Sequence, residues 1–210
     1  MKLKVCGLKN EKNILQVLTC HPDFIGFIFY EKSPRYVGKS VSADFVKNIF
    51  SVKKVGVFVN ETKKNILARV SEFGLDYVQL HGNETPEFCA EIQKTIPVIK
   101  AVGVGAEFDF SFLNDYENAC DYFLFDSSSK EYGGSGKAFD WNKLKEYRSQ
   151  KKYFLSGGIN LKNVEEIINL TSENQYLMAI DVNSGFELEP GIKDIAKLKM
   201  LQLKRQENEL

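Results

Sequence analysis

The chain has 210 residues, with 28 basic and 28 acidic side chains and a formal net charge of zero; 43% of it is hydrophobic and 27% charged. That balance suits a large core in one large domain or two small ones, and it excludes disorder, collagen and coiled coil. Zero net charge gives no electrostatic reason to expect nucleic acid. The longest apolar run, Phe24 to Tyr30, is far too short to span a bilayer, and no apolar segment follows Lys2 and Lys4 as in a signal peptide.

Short β-branched and aromatic runs recur along the chain: Leu3–Cys6, Phe24–Phe29, Lys54–Val59, Tyr77–Leu80, Val98–Ala101, Asp121–Phe125, Tyr153–Leu155 and Met178–Val182. Several are almost continuously apolar, as strands buried on both faces should be. Helix-like segments lie between them. Asn65–Phe73 puts Ile66, Leu67, Val70 and Phe73 on one face, and Leu161–Leu170 does so with Leu161, Val164, Ile167 and Ile168. Thr85-Pro86-Glu87 has the N-cap, N1 proline and first-turn acid of a helix start; Ser42 and Asn160 are weaker starts, and a last helix is expected from Ile192 to about Arg205. Successive strands begin roughly 20 to 30 residues apart, the spacing of a β-loop-α-loop unit. The alternation predicts an α/β fold with a parallel sheet. Eight units closing on themselves make a (β/α)8 TIM barrel, with a doubly wound open sheet as the rival. No composition shift divides the chain, so we expect one domain over 1–210.

The four cysteines, Cys6, Cys20, Cys89 and Cys120, form no C-x-x-C pair and read as thiols of a reducing, cytoplasmic compartment. The two histidines, His21 and His81, are too scattered for a metal-site pattern. In a barrel, function belongs to the C-terminal strand ends and the loops that follow. Those ends carry Cys6-Gly7, Ser33-Pro34-Arg35, His81-Gly82, Asp126 with Gly133-Gly134-Ser135-Gly136 beyond it, Ser156-Gly157-Gly158, and Asp181 with Asn183-Ser184-Gly185. The glycine turns after strands seven and eight suit a phosphate, because backbone N–H groups can approach it closely. A Cys is a candidate base or nucleophile once activated, and a carboxyl beside the rings of Phe123 and Phe125 is a candidate acid. Arg35 offers a planar fork for a carboxylate. Taken singly, each has a plainer counterpart: a packed thiol, a turn-capping carboxylate, a surface Arg and tight-turn glycines.

Together these strings resemble the phosphoribosylanthranilate isomerase family of tryptophan biosynthesis. Lys4-Val5-Cys6-Gly7-Leu8, Gly26-Phe27-Ile28-Phe29 with Ser33-Pro34-Arg35-Tyr36-Val37, Val55 to Asn60, and Val78 to Glu84 come in family order. They are followed by Phe125-Asp126-Ser127, Gly133 to Gly136, Phe139-Asp140-Trp141, Leu155 to Ile159, Asp181 to Glu187 and Pro190 to Asp194, so the match runs from residue 2 to 194. The resemblance implies a cofactor- and metal-free Amadori rearrangement of N-(5-phosphoribosyl)anthranilate by a monomer or homodimer. It makes Cys6 the general base and Asp126 the general acid. Arg35 would hold the anthranilate carboxylate, His81 and Asp181 would line the sugar pocket, and Gly157, Gly158, Ser184 and Gly185 would hold the phosphate. Asn183 departs from the usual family Ser, and Ser156 from a common Ala. Two other readings share the barrel: an isomerase for a related aminoaldose phosphate, and a phosphosugar-binding protein without turnover.

Overall fold

The computed structural model describes residues 1–127 and 139–207. Eight parallel strands run in order: β1 Lys2–Val5, β2 Phe24–Ile28, β3 Lys53–Phe58, β4 Tyr77–Leu80, β5 Val98–Val104, β6 Tyr122–Ser127, β7 Tyr153–Leu155 and β8 Leu177–Val182. The last pairs back onto the first, with Lys4 opposite Asp181, so the sheet closes as a barrel and the open-sheet alternative falls.

Helices α1 Glu11–Leu18, α2 Ala43–Lys47, α3 Lys63–Phe73, α4 Pro86–Gln93, α5 Val164–Glu173 and α6 Ile195–Glu207 connect most of the strands and cover the barrel. Their starts are those a capping argument expects: Ser42, Thr62 and Thr85 accept from the amides of Phe45, Asn65 and Phe88. In the fifth and sixth units, 3₁₀ segments over Phe110–Tyr116 and Trp141–Glu146 stand in for helices. Each opens on an Asp side chain that accepts an amide two residues on, which tightens the first turn.

Two expected helix starts move. Asn160 does not begin a helix: its Oδ1 accepts from Lys162 N and its amide donates to Asn163 Oδ1, a local turn that delays α5 to Val164. Ile192 does not open the last helix either. Ile192–Lys193 is a short strand, β10, antiparallel to β9 Glu187–Glu189. Asn13 of α1 holds it by accepting from Lys193 N at 2.7 Å and donating to Lys193 O at 3.0 Å.

Side chains of a strand alternate between the barrel interior and the helical layer. On β2, β4 and β6 the inward series are Phe24-Gly26-Ile28, Tyr77-Gln79-His81 and Tyr122-Leu124-Asp126. At the N-terminal end, Phe24, Tyr77, Tyr122 and Phe154 form a closed ring of edge-to-face contacts, with centroids 5.7, 6.1, 5.9 and 5.2 Å apart in succession. Val55, Ile99, Ala101, Leu124 and Ala179 pack with them. The floor is therefore sealed by rings, and polarity increases toward the C-terminal rim. Truncating Phe24 to Ala removes two of the four ring contacts; urea unfolding should show a loss of about 3–5 kcal/mol.

Candidate active site

The C-terminal rim surrounds an open cavity. Cys6, Arg35, His81, Asp126, Asp181 and both glycine turns, Gly157-Gly158 and Ser184-Gly185, all line it. Every candidate residue read at a strand end is thus brought to one place, except Gly133-Gly134-Ser135-Gly136, which lies outside the described residues.

Cys6 follows directly on β1, its amide bonded to Val182 O of β8 at 3.0 Å. A Cβ added at Gly26 of β2 would fall 2.6 Å from its Sγ, so a glycine there gives the thiol its room. Two positions back on the same inward face sits Lys4, fully buried, its Nζ 2.7 Å from Asp181 Oδ2. Burial pushes the Cys6 thiol above its ordinary value; the Lys4 ammonium is the strongest opposing influence. Burial also raises the Asp181 carboxyl, against the pull of Lys4. Asp181 Oδ1 is buried and accepts from no group among the described residues. Burial likewise pushes Cys89 up to about 11 and Cys120 up to about 12, and both are packed among apolar side chains.

Asp126 does not lie among aromatic rings as its sequence neighbours suggested. Alternation turns Phe123 and Phe125 outward, where Phe125 packs on Tyr147 and Tyr153, and turns Asp126 into the cavity. Its Oδ1 accepts from Ser127 N at 2.7 Å, and its Oδ2 lies 3.5 Å from His81 Nε2. Gln79 Nε2 contacts His81 Nδ1 at 3.0 Å. The imidazole is thus held between Gln79 and Asp126.

Arg35 is engaged from behind. Its Nε and Nη2 donate to Glu187, the shortest contact being 2.7 Å, in a bidentate fork. Glu187 also accepts from Gly191 N and from the buried Lys193 Nζ, the latter at 2.6 Å. Burial works to raise the Glu187 carboxyl, but Arg35 and Lys193 hold it below its usual value. Lys193 Nζ donates further to Asn183 Oδ1 at 2.7 Å, so the departure from Ser at 183 ties the strand-eight turn into this cluster. Gly7, at φ +76°, makes the convergence possible, since a Cβ there would meet Arg35 Cδ and Asn183 Oδ1 at 2.8 Å each.

The glycine turns are backbone surfaces. Gly157 and Gly158 hold φ of +85° and +65°. The Gly158 carbonyl accepts from Asn160 Nδ2 and Asn163 Nδ2, and both glycines line the cavity. Gly185 packs so closely on Ile159 O that a side chain could not fit, so the two turns form one surface. Among the described residues nothing accepts from the amides of Gly157, Gly158, Ser184 or Gly185. No three His, Cys, Asp or Glu of those residues are placed to hold a metal, and none of their helices is long and apolar enough to cross a membrane.

Residues 3–203 match the family model of N-(5'phosphoribosyl)anthranilate (PRA) isomerase. The chain belongs to that family. The N-(5'-phosphoribosyl)anthranilate isomerase of Parabacteroides distasonis is 46% identical over 202 residues, covering 95% of this chain and 90% of its own. The crystal structure of the Thermus thermophilus enzyme superposes with a TM-score of 0.87 at 27% identity, covering 99% of both chains. A family structure in complex with reduced 1-(o-carboxyphenylamino)-1-deoxyribulose 5-phosphate has a TM-score of 0.80 at 34% identity, again over 99% of each chain.

Sequence reasoning passed over Lys4, Glu187 and Lys193 as site residues. For Lys4 the signal was present: it is a charge between the apolar Leu3 and Val5 of a buried strand segment, and such a charge demands a partner. Replacing Glu187 by Ala strips Arg35 and Lys193, 12% and 0% exposed, of their shared carboxylate. Thermal and urea unfolding should then record a loss of about 3–5 kcal/mol, as for a broken buried ion pair.

Proposed function

We propose that this cavity carries out the isomerisation of its family, turning N-(5-phosphoribosyl)anthranilate into 1-(2-carboxyphenylamino)-1-deoxyribulose 5-phosphate, with Cys6 as base and Asp126 as acid. The observation that carries the reading is the placement of the two groups. They stand on β1 and β6, nearly opposite in a ring of eight strands, across one cavity that has a guanidinium at one side and free backbone amides at another.

The chemistry needs that separation. Asp126 in its acid form gives a proton to the furanose oxygen as the ring opens to a protonated Schiff base. Cys6, as thiolate, takes the proton from C2, and the electron pair flows toward the iminium nitrogen to form an enolamine. Tautomerisation gives the ketose. The iminium and its aryl ring accept the electrons within the substrate. Arg35, oriented by Glu187, offers its remaining N–H edge to the anthranilate carboxylate, and the Gly157–Gly158 and Ser184–Gly185 amides take the phosphate. Asp181 Oδ1 is a buried acceptor suited to a ribose hydroxyl, and His81 Nε2 faces the acid. Holding both ends of the substrate sets the reacting carbons between acid and base.

A balanced charge, four free thiols and the absence of a membrane-length helix among the described residues support a cytoplasmic protein, one barrel domain, acting on a small phosphosugar.

The test is the decay of anthranilate-type fluorescence when fresh phosphoribosylanthranilate meets the purified protein. Wild type should turn over rapidly; Cys6→Ala and Asp126→Asn should each lose about 10²–10⁴-fold in kcat. Near-normal turnover by Cys6→Ala would remove the proposed base. Gly157→Ala probes the geometry separately. Its Cβ would meet Ser127 N at 2.6 Å and Asp126 Oδ1 at 2.9 Å, and the displaced acid should cost about 10²-fold in kcat.

A further inference from the structure

We propose that Lys4 is a positioning residue for the base: its buried ammonium, anchored by Asp181, supplies the positive charge that lets Cys6 exist as a thiolate inside the barrel. The proposal rests on the reading of Cys6 as base. It starts from a geometric oddity. A lysine whose side chain is wholly enclosed sits directly beneath the proposed base, two residues earlier on the same inward face of β1. Closure of the barrel puts Asp181 opposite it in register, and the two bond at 2.7 Å.

An ion pair in that position is not needed to fill space. The residues beneath it on other strands are apolar, and Leu124 and Ala101 occupy comparable interior positions. An apolar side chain would fill the same volume without the desolvation that two buried charges bear. The pair is also asymmetric: Asp181 spends one oxygen on Lys4, while the other accepts from no described group.

The charges around Cys6 come from few elements. Lys4 faces it from its own strand, Asp181 from β8 and Lys193 from β10, while β2 contributes only Gly26. Asp126 and His81 act on Asp181 from the far side of the cavity. Burial and Asp181 both favour the neutral thiol, and Lys4 is the largest influence favouring the thiolate. A thiol held well above ambient pH gains more from a larger thiolate fraction than it loses in intrinsic basicity, since the best catalytic base titrates near the working pH. In the step itself Lys4 transfers no proton. The thiolate takes the C2 proton and becomes a thiol, and the ammonium stays protonated on Asp181 throughout.

The experiment is the pH dependence of Cys6 carbamidomethylation by iodoacetamide, located by peptide mass spectrometry, in wild type, Lys4→Met and Lys4→Gln. Gln keeps a donor toward Asp181 without the charge and guards against a Met variant that fails to fold. Both neutral variants should react at Cys6 about tenfold or more slowly below the midpoint, a shift of one pKa unit or greater. In the fluorescence assay they should lose about 10²-fold in kcat with KM little changed. A folded neutral variant whose Cys6 profile coincides with wild type overturns the proposal, whatever its activity. If Cys6→Ala itself retains turnover, the assignment of the base fails; if Cys6→Ala is inactive and the Lys4 profiles do not move, only the role of Lys4 fails.

Discussion

A lysine enclosed inside a β-barrel must be paired, because an uncompensated ammonium there would cost several kcal/mol. Here the pairing and the closure of the barrel are the same event. Lys4 finds Asp181 because β1 aligns with β8 in one register, and the next residue pair along that seam brings Val5 against Val182 and leaves Cys6 at the rim. A shift of one residue would turn Lys4 into the helical layer and Cys6 with it. The seam that completes the fold therefore also places the Cys6 thiol. The same pair marks the change from the aromatic floor formed by Phe24, Tyr77, Tyr122 and Phe154 to the polar cavity above.

Buried charges recur around this rim, each fixing a loop. Lys100 of β5 donates to Gly82 O at 2.7 Å and to Glu84 Oε2 at 2.8 Å, and Glu84 also accepts from the amides of Asn60 and Gly82. That cluster secures the turn immediately after His81. Lys193, through Glu187 and Asn183, secures Arg35 and the strand-eight turn. In each case a cation inside the protein gathers the carbonyl or carboxylate oxygens of one loop. Apolar packing could hold the outer layer, but it could not hold loops whose exposed groups must stay polar and aimed inward.

Much of this was legible in the chain. Eight apolar runs at βα spacing pointed to the barrel, and the rule that function sits at C-terminal strand ends picked out Cys6, His81, Asp126 and Asp181 before any contact was known. What was not legible depended on which face a residue takes and on partners distant in sequence. Reading Asp126 with Phe123 and Phe125 treated sequence neighbours as spatial ones, whereas a strand sends alternate residues to opposite layers. Arg35 and Glu187 are 152 positions apart, and no local pattern announces their fork. The start of α6 is not legible because Ile192 and Lys193 continue an apolar-polar pattern, and only their antiparallel pairing with Glu187–Glu189 shows them to be a strand.

The distribution of charge gives the proposed reaction its direction. A substrate with a carboxylate at one end and a phosphate at the other could enter a featureless cavity either way round. This cavity is not featureless. Its guanidinium and buried ammonium gather around Glu187, beside β1 and β2, whereas the Gly157–Gly158 and Ser184–Gly185 turns offer neutral amides held rigidly by their mutual packing. Planar, bidentate chemistry at one end favours the carboxylate, and a concave surface of N–H groups favours the phosphate. Glu187 contributes by lowering the net positive charge around Arg35 while fixing its plane, so that recognition there depends on geometry as well as attraction. A free, unpaired guanidinium would bind either anion; one already forked onto a carboxylate has a single edge left to offer.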